Sequence, residues 1–173
     1  MLGRLEVDAT AVRLPAQLEG LQGLIIPGGE STVIGRLLHT WGLWQPIREG
    51  IQQGNLGVWG SCAGAILLAK QVPNLEVEGL QMMDISIERN AFGRQVDSFT
   101  VVLRTSLFKD PTFPGVFIRA PVITQVGKTA KAVAWLENGA VVAAQQGRLL
   151  ATAFHPELTD DTRFHAYFLN MLQ

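Results

Sequence analysis

The stretch from Leu56 to Ala69 constrains this chain more than any other, because an apolar run, a glycine-flanked turn and a second apolar run follow one another without a break. Leu56-Gly57-Val58-Trp59 reads as a buried strand, Ala65-Ile66-Leu67-Leu68-Ala69 as a helix, and Gly60-Ser61-Cys62-Ala63-Gly64 as the turn between them. Small residues let the chain reverse sharply, hold the central side chain in a strained conformation and start a helix beneath it. The result is a nucleophile elbow with sulfur in place of a serine oxygen, and a helix N-terminus there favours thiolate over thiol. Cys62 is the only cysteine of the chain. A buried structural cysteine is the plainer reading, since free cysteine is among the most buried residue types. Such a residue has no need of a glycine two positions away on each side, so Cys62 is expected to be a catalytic nucleophile.

A length of 173 residues, 47% of them hydrophobic and 17% charged, suits one globular domain over 1–173 with a substantial core. The formal net charge of -1 leaves no electrostatic footprint for nucleic acid or an anionic membrane surface. A lone cysteine forms no internal disulfide, and no run approaches the roughly 20 apolar residues of a membrane span or has a signal-peptide layout. Small molecules or another protein are the expected partners, and the cytoplasm the expected compartment.

Strand-like and helical runs alternate through the first half. Leu24-Ile25-Ile26 is a short buried strand ended by Pro27-Gly28-Gly29; Ser31 or Thr32 can cap a helix through Leu38, and a second helix is expected from Pro46 to Gln53. This rhythm predicts an α/β fold with a mainly parallel sheet, helices on both faces, and chemistry at the carboxyl ends of the strands. The second half reads as extended segments at Ile85 to Arg89, Phe99 to Leu103 and Val116 to Arg119. A hairpin follows, Val141 to Ala144 and Leu149 to Phe154 around Gln145-Gln146-Gly147-Arg148. Thr159 or Asp160 is expected to cap a closing helix whose Phe164, Tyr167, Phe168, Met171 and Leu172 form one core-facing stripe.

The hairpin delivers His155-Pro156-Glu157, the natural complement of Cys62. An imidazole within reach of the thiol can take its proton and later protonate a leaving amine, while a carboxylate orients the ring and stabilises its cationic form. Alone, His155 reads as a satisfied histidine at a strand end; the Pro156-Glu157 continuation and the elbow favour the catalytic role. His39 reads as surface or packing, and His165 as structural.

Gly60-Ser61-Cys62-Ala63-Gly64 together with His155-Pro156-Glu157 resembles the class I, triad-type glutamine amidotransferases, a flavodoxin-like fold. Four further strings narrow the resemblance to the glutaminase subunits of pyridoxal 5′-phosphate synthases. They are Pro27-Gly28-Gly29-Glu30-Ser31-Thr32, Glu88-Arg89-Asn90-Ala91-Phe92-Gly93-Arg94-Gln95, Phe117-Ile118-Arg119-Ala120-Pro121 and His155-Pro156-Glu157-Leu158-Thr159. The resemblance implies hydrolysis of L-glutamine to L-glutamate and ammonia, with ammonia passed to a synthase subunit that builds pyridoxal phosphate, and it implies no metal or cofactor. It also implies oxyanion donors at the backbone of Gly29 and Ala63. Gly29, Glu30, Ser31, Arg89, Ile118 and Arg119 line the glutamine site in this reading, a carboxylate suiting the α-ammonium and an arginine the α-carboxylate. Which arginine does so stays open, as does a plain helix-capping role for Glu30-Ser31 and a solvated strand end for Arg89 and Arg119.

Members of that family open with a short apolar strand, a Leu-Gln-Gly-type turn and a helix. Met1-Leu2-Gly3-Arg4-Leu5 resembles the later part of that helix, so the expectation is a sheet without the family's first strand. Two other readings stand beside the amidotransferase. One is an elbow-cysteine enzyme of the DJ-1/PfpI group, against which the His-Pro-Glu string and the Pro27–Thr32 loop argue; the other is a non-catalytic module that binds a partner.

Overall fold

Strand β1 (Gly23–Ile26) leads through helices α1 (Ser31–Thr40) and α2 (Trp44–Gln52) to strand β2 (Gly57–Ser61), the strand predicted ahead of the elbow. Helix α3 (Ala63–Leu68) starts directly after Cys62. The structure is a computed structural model that describes residues 1–89 and 98–173. The string from Asn90 to Gln95 lies outside the described residues.

Two sheets follow from the rest of the chain. Strands β3 (Ala69–Gln71), β4 (Met83–Glu88) and β7 (Val122–Val126) form a small sheet in the order β3-β4-β7. Strands β5 (Ser98–Thr105), β6 (Thr112–Ile118), β8 (Lys131–Trp135), β9 (Val141–Gln146) and β10 (Leu149–Thr152) join β1 and β2 in a large one, ordered β1-β2-β10-β9-β8-β5-β6. Its pairs are parallel from β1 through β2 to β10, where the elbow sits, and antiparallel beyond. The predicted parallel sheet is thus the portion that carries the site, and the predicted β9–β10 hairpin forms its inner border.

Alternation along the central strands splits the interior into two cores. Val58 of β2 and Ala151 of β10 face a core with Ile26, Leu38, Ile47, Ile66 and Leu67. Trp59 and Leu150, their chain neighbours, face a second core rich in aromatic rings: Phe113, Phe117, Phe154, Phe164 and Phe168. Phe164 and Phe168 come from the closing helix α4 (Arg163–Met171), whose predicted stripe is core packing. Burying each ring stabilises the fold by about 1.5–3 kcal/mol.

Two helix starts differ from expectation. Glu30, not Ser31 or Thr32, caps α1: its carboxylate accepts the backbone N–H of Thr32 at 3.0 Å and of Val33 at 2.7 Å. A longer side chain reaches back over the first turn just as a short one would, and its charge suits the helix dipole. Helix α4 begins after Thr162, because a 3-10 turn occupies Pro156–Leu158 and Asp161 rather than Thr159 or Asp160 accepts the Arg163 N–H, at 3.0 Å.

Strand β1 ends the large sheet. Beyond it lie two clefts of about 540 and 580 Å³ that share Val12, Leu24, Ile25 and Pro27 in their walls. Leu37 and Trp41 line the first, Phe168 and Leu172 the second.

Candidate active site

The elbow conformation is imposed by backbone contacts. Cys62 has φ 48° and ψ -103°, a strained pair for an L residue, and is held there by its N–H donating to the Thr152 carbonyl of β10 at 2.8 Å. A Cβ on Gly60 would lie 2.3 Å from the carbonyl atoms of Gly64, and one on Gly64 would lie 2.0 Å from the carbonyl oxygen of Ile26. Only glycine fits either place, which is the physical content of the Gly-Ser-Cys-Ala-Gly string. Cys62 itself is 7% exposed, so the elbow presents its sulfur to an enclosed site rather than to open solvent.

His155 arrives three residues after β10 and is fixed by its own N–H, which donates to the Val116 carbonyl of β6 at 2.8 Å. Its ring packs against the Pro27–Ser31 loop so tightly that a Cβ on Gly28 would meet Cε1 at 2.3 Å. Nδ1 and Glu157 Oε1 are 2.8 Å apart. Hydrogen bonding to Cys62, reinforced by Glu157, pushes the imidazole pKa up to about 9 against the opposing effect of burial. Burial pushes the Glu157 carboxyl upward, but the His155 hydrogen bond and nearby charge more than offset this and leave it below the ordinary range. The Ser61 hydroxyl is a long second donor to the same oxygen, at 3.5 Å. The three residues predicted from separate strings as nucleophile, base and orienting carboxylate are therefore brought together.

The loop after β1 borders the same site. Gly29 has φ 145°, a region closed to most side chains. Ala63, 1% exposed, opens α3, where a first-turn N–H has no partner within the helix. Ser31 is buried at the first position of α1, and Glu30 precedes it with its carboxyl lowered by the Thr32 and Val33 N–H groups, burial working against them. Arg89 Nη1 donates to the Thr32 hydroxyl at 3.3 Å. Ile118 ends β6, and its carbonyl accepts from Cys62 Sγ at 3.9 Å; Arg119 follows with φ 43°.

Sequence reasoning missed the backbone carbonyl of Val116 and named Ile118 only through the resemblance, since both act through main-chain atoms that leave no trace in residue type. It also missed Thr32 as more than a cap, although its place inside the Pro27–Thr32 string was a usable signal. Of the other two histidines, His39 meets the Glu78 carbonyl at 3.0 Å and stacks on Trp44, while His165 is buried edge-on against Trp59 at 4.8 Å, near enough to Glu157 to help lower its carboxyl.

Known proteins resemble this one over nearly the whole chain. A curated protein of Chloroflexus aurantiacus named pyridoxal 5′-phosphate synthase subunit PdxT is 52% identical over 174 residues, covering 99% of this chain and 91% of its own length. Its namesake from Deinococcus radiodurans is 54% identical over 175 residues, covering 98% and 88%. A crystal structure described as a glutamine amidotransferase superposes with a TM-score of 0.93 at 45% identity, covering 99% of this chain and 89% of that one. A Thermotoga maritima protein, also described as a glutamine amidotransferase, has the same fold, with a TM-score of 0.58 at 16% identity over 90% of this chain and 65% of its own. The family match runs over residues 2–173, and the chain belongs to the SNO glutamine amidotransferase family.

Proposed function

We propose that this chain hydrolyses L-glutamine to L-glutamate and ammonia and delivers the ammonia to a pyridoxal 5′-phosphate synthase subunit. The observation that carries the reading is the Cys62 elbow facing a His155 imidazole that is itself held by Glu157 at 2.8 Å. Membership of the amidotransferase family and relatives named as synthase subunits supply the substrate class and the partner.

Cys62 sulfur attacks the side-chain amide carbon, and the electrons displaced onto oxygen are met by the Gly29 and Ala63 N–H groups. As the C–N bond breaks, the His155 imidazolium gives its proton to the departing nitrogen, leaving a γ-glutamyl thioester. The now neutral imidazole takes a proton from water; the resulting hydroxide cleaves the thioester, releasing glutamate and restoring Cys62. A histidine titrating near 9 is an imidazolium at neutral pH and so enters the first step with the required proton. Glu30, Ser31, Arg89, Ile118 and Arg119 hold the glutamine, the acid facing the ammonium and an arginine the carboxylate. We further read 1–173 as one amidotransferase domain working in the cytoplasm, where a lone cysteine stays reduced.

Ammonia release from glutamine, measured for the isolated chain and for its complex with the synthase, tests the reading, with Cys62→Ala as control. Release in the complex, absent in Cys62→Ala, is the expected result; no release above the control would overturn it and leave a partner-binding module.

A further inference from the structure

A zwitterionic α-carbon sets a particular problem for its receptor. Opposite charges must be held side by side without neutralising each other, since an ion pair that closes on itself has nothing left for the ligand. Glu30 and Arg89 face this problem here. Arg89 stands close enough to help lower the Glu30 carboxyl, yet no direct ion pair joins the two among the described residues. The residue between them is Thr32. Its hydroxyl accepts from Arg89 Nη1 at 3.3 Å, while its backbone N–H donates to Glu30 Oε1 at 3.0 Å. One residue thus holds the guanidinium by its side chain and the carboxylate by its main chain. Thr32 is 8% exposed, so water does not readily take over either bond.

We propose that Thr32 is a positioning residue that keeps the Arg89 guanidinium off the Glu30 carboxylate, so that both charges remain available to glutamine. The proposal rests on the glutamine-site reading above and deepens it. Without the hydroxyl, the guanidinium is free to fold onto Glu30, and both charges are spent before glutamine arrives. Selectivity for an amino acid amide over a simple amide is then a property of the spacer as much as of the charges.

The test is steady-state glutaminase kinetics of Thr32→Val, which keeps the branched shape and the backbone N–H, and of Thr32→Ser, which keeps the hydroxyl, both in the complex with the synthase. If Thr32→Val does not fold by thermal unfolding, Thr32→Ala takes its place. Loss of a hydrogen bond to a charged group predicts that Thr32→Val raises KM for glutamine by about tenfold with kcat little changed, and that Thr32→Ser restores it. Preference for glutamine over its deamino analogue, 4-carbamoylbutanoate, and over its decarboxylated analogue, 4-aminobutanamide, should shrink together. An unchanged KM, a Thr32→Ser variant as defective as Thr32→Val, or a loss confined to kcat overturns the proposal. Glu30→Gln and Arg89→Gln separate it from its foundation: if neither raises KM, the glutamine-site reading fails with it, and if both do while Thr32→Val does not, the spacer alone is wrong.

Discussion

The two sides of strand β1 are built on opposite terms. Toward β2 and helix α3 the chain is held by main-chain contacts so close that single added methyl groups would collide with carbonyl oxygens, as at Gly64 of α3 against Ile26. On its other side β1 has no strand neighbour among the described residues, and the walls of the first cleft include Leu14, Leu37 and Trp41, which are 50%, 49% and 54% exposed. Reactive geometry is thus secured where backbone meets backbone, and packing is loosest one strand away. Tolerance to substitution should change abruptly across that single strand.

The contrast is tested most strongly at the elbow itself. Cys62→Ala should reduce glutamine turnover to background while the fold is kept, because the backbone around it is fixed by main-chain contacts rather than by the thiol. His155→Asn should cost about 10²–10⁴-fold in kcat, and Glu157→Gln less, since orienting an imidazole contributes less than moving its proton. Equal and slight effects in those two variants would place the base elsewhere.

A stability effect of the next size is expected from Gly64→Ala. The new methyl cannot be accommodated without moving β1 or α3, so unfolding in denaturant should show a loss of about 3 kcal/mol. A variant as stable as the parent would show that the elbow yields where the geometry makes it rigid. Ile26→Ala and Leu37→Ala then compare a buried and an open position in the wall of the first cleft: about 2–5 kcal/mol for the first, buried at 4%, and under about 1 kcal/mol for the second. Equal losses would erase the distinction.

The smallest effect is a pH dependence. Because the folded protein raises the His155 pKa to about 9, the stabilisation it brings is fully present below the unfolded value of roughly 6.5 and is lost as pH rises through about 9. The melting temperature should fall by a few degrees across that window, and His155→Asn should flatten the fall. A profile that is the same in parent and variant would mean the imidazolium contributes nothing to the fold.

Much of this was legible in the sequence because the informative strings are local. The elbow, the His155-Pro156-Glu157 turn and the β9–β10 hairpin each declare themselves within a few residues, since sterics and turn chemistry act at that range. Long-range order was not legible. Nothing in Leu149–Thr152 says that it pairs parallel to β2 rather than lying at an edge, and the curled antiparallel arm of β8, β5 and β6 appeared only as separate extended runs. The cap of α1 was misplaced by one residue because Ser31 and Thr32 fit the usual short-side-chain preference, whereas Glu30 reached the same N–H groups with more length and a charge. The start of α4 was placed early for a related reason: Asp161 and Arg163 settle it through a mutual hydrogen bond that residue preferences do not weigh.

Strand β6 stands at the far end of the strand order from β1, yet its Val116 carbonyl holds His155 and its Ile118 carbonyl touches Cys62. The sheet has bent round until its last strand reaches the turn beside its second, and the gap between nucleophile and base has become a matter of circumference. Phe113, Phe117, Phe154 and Phe164 fill the inside of that bend like the wedge stones of an arch. A change of ring size among them, remote from any reacting atom, would widen or tighten the arch and so retune the distance over which a proton must travel.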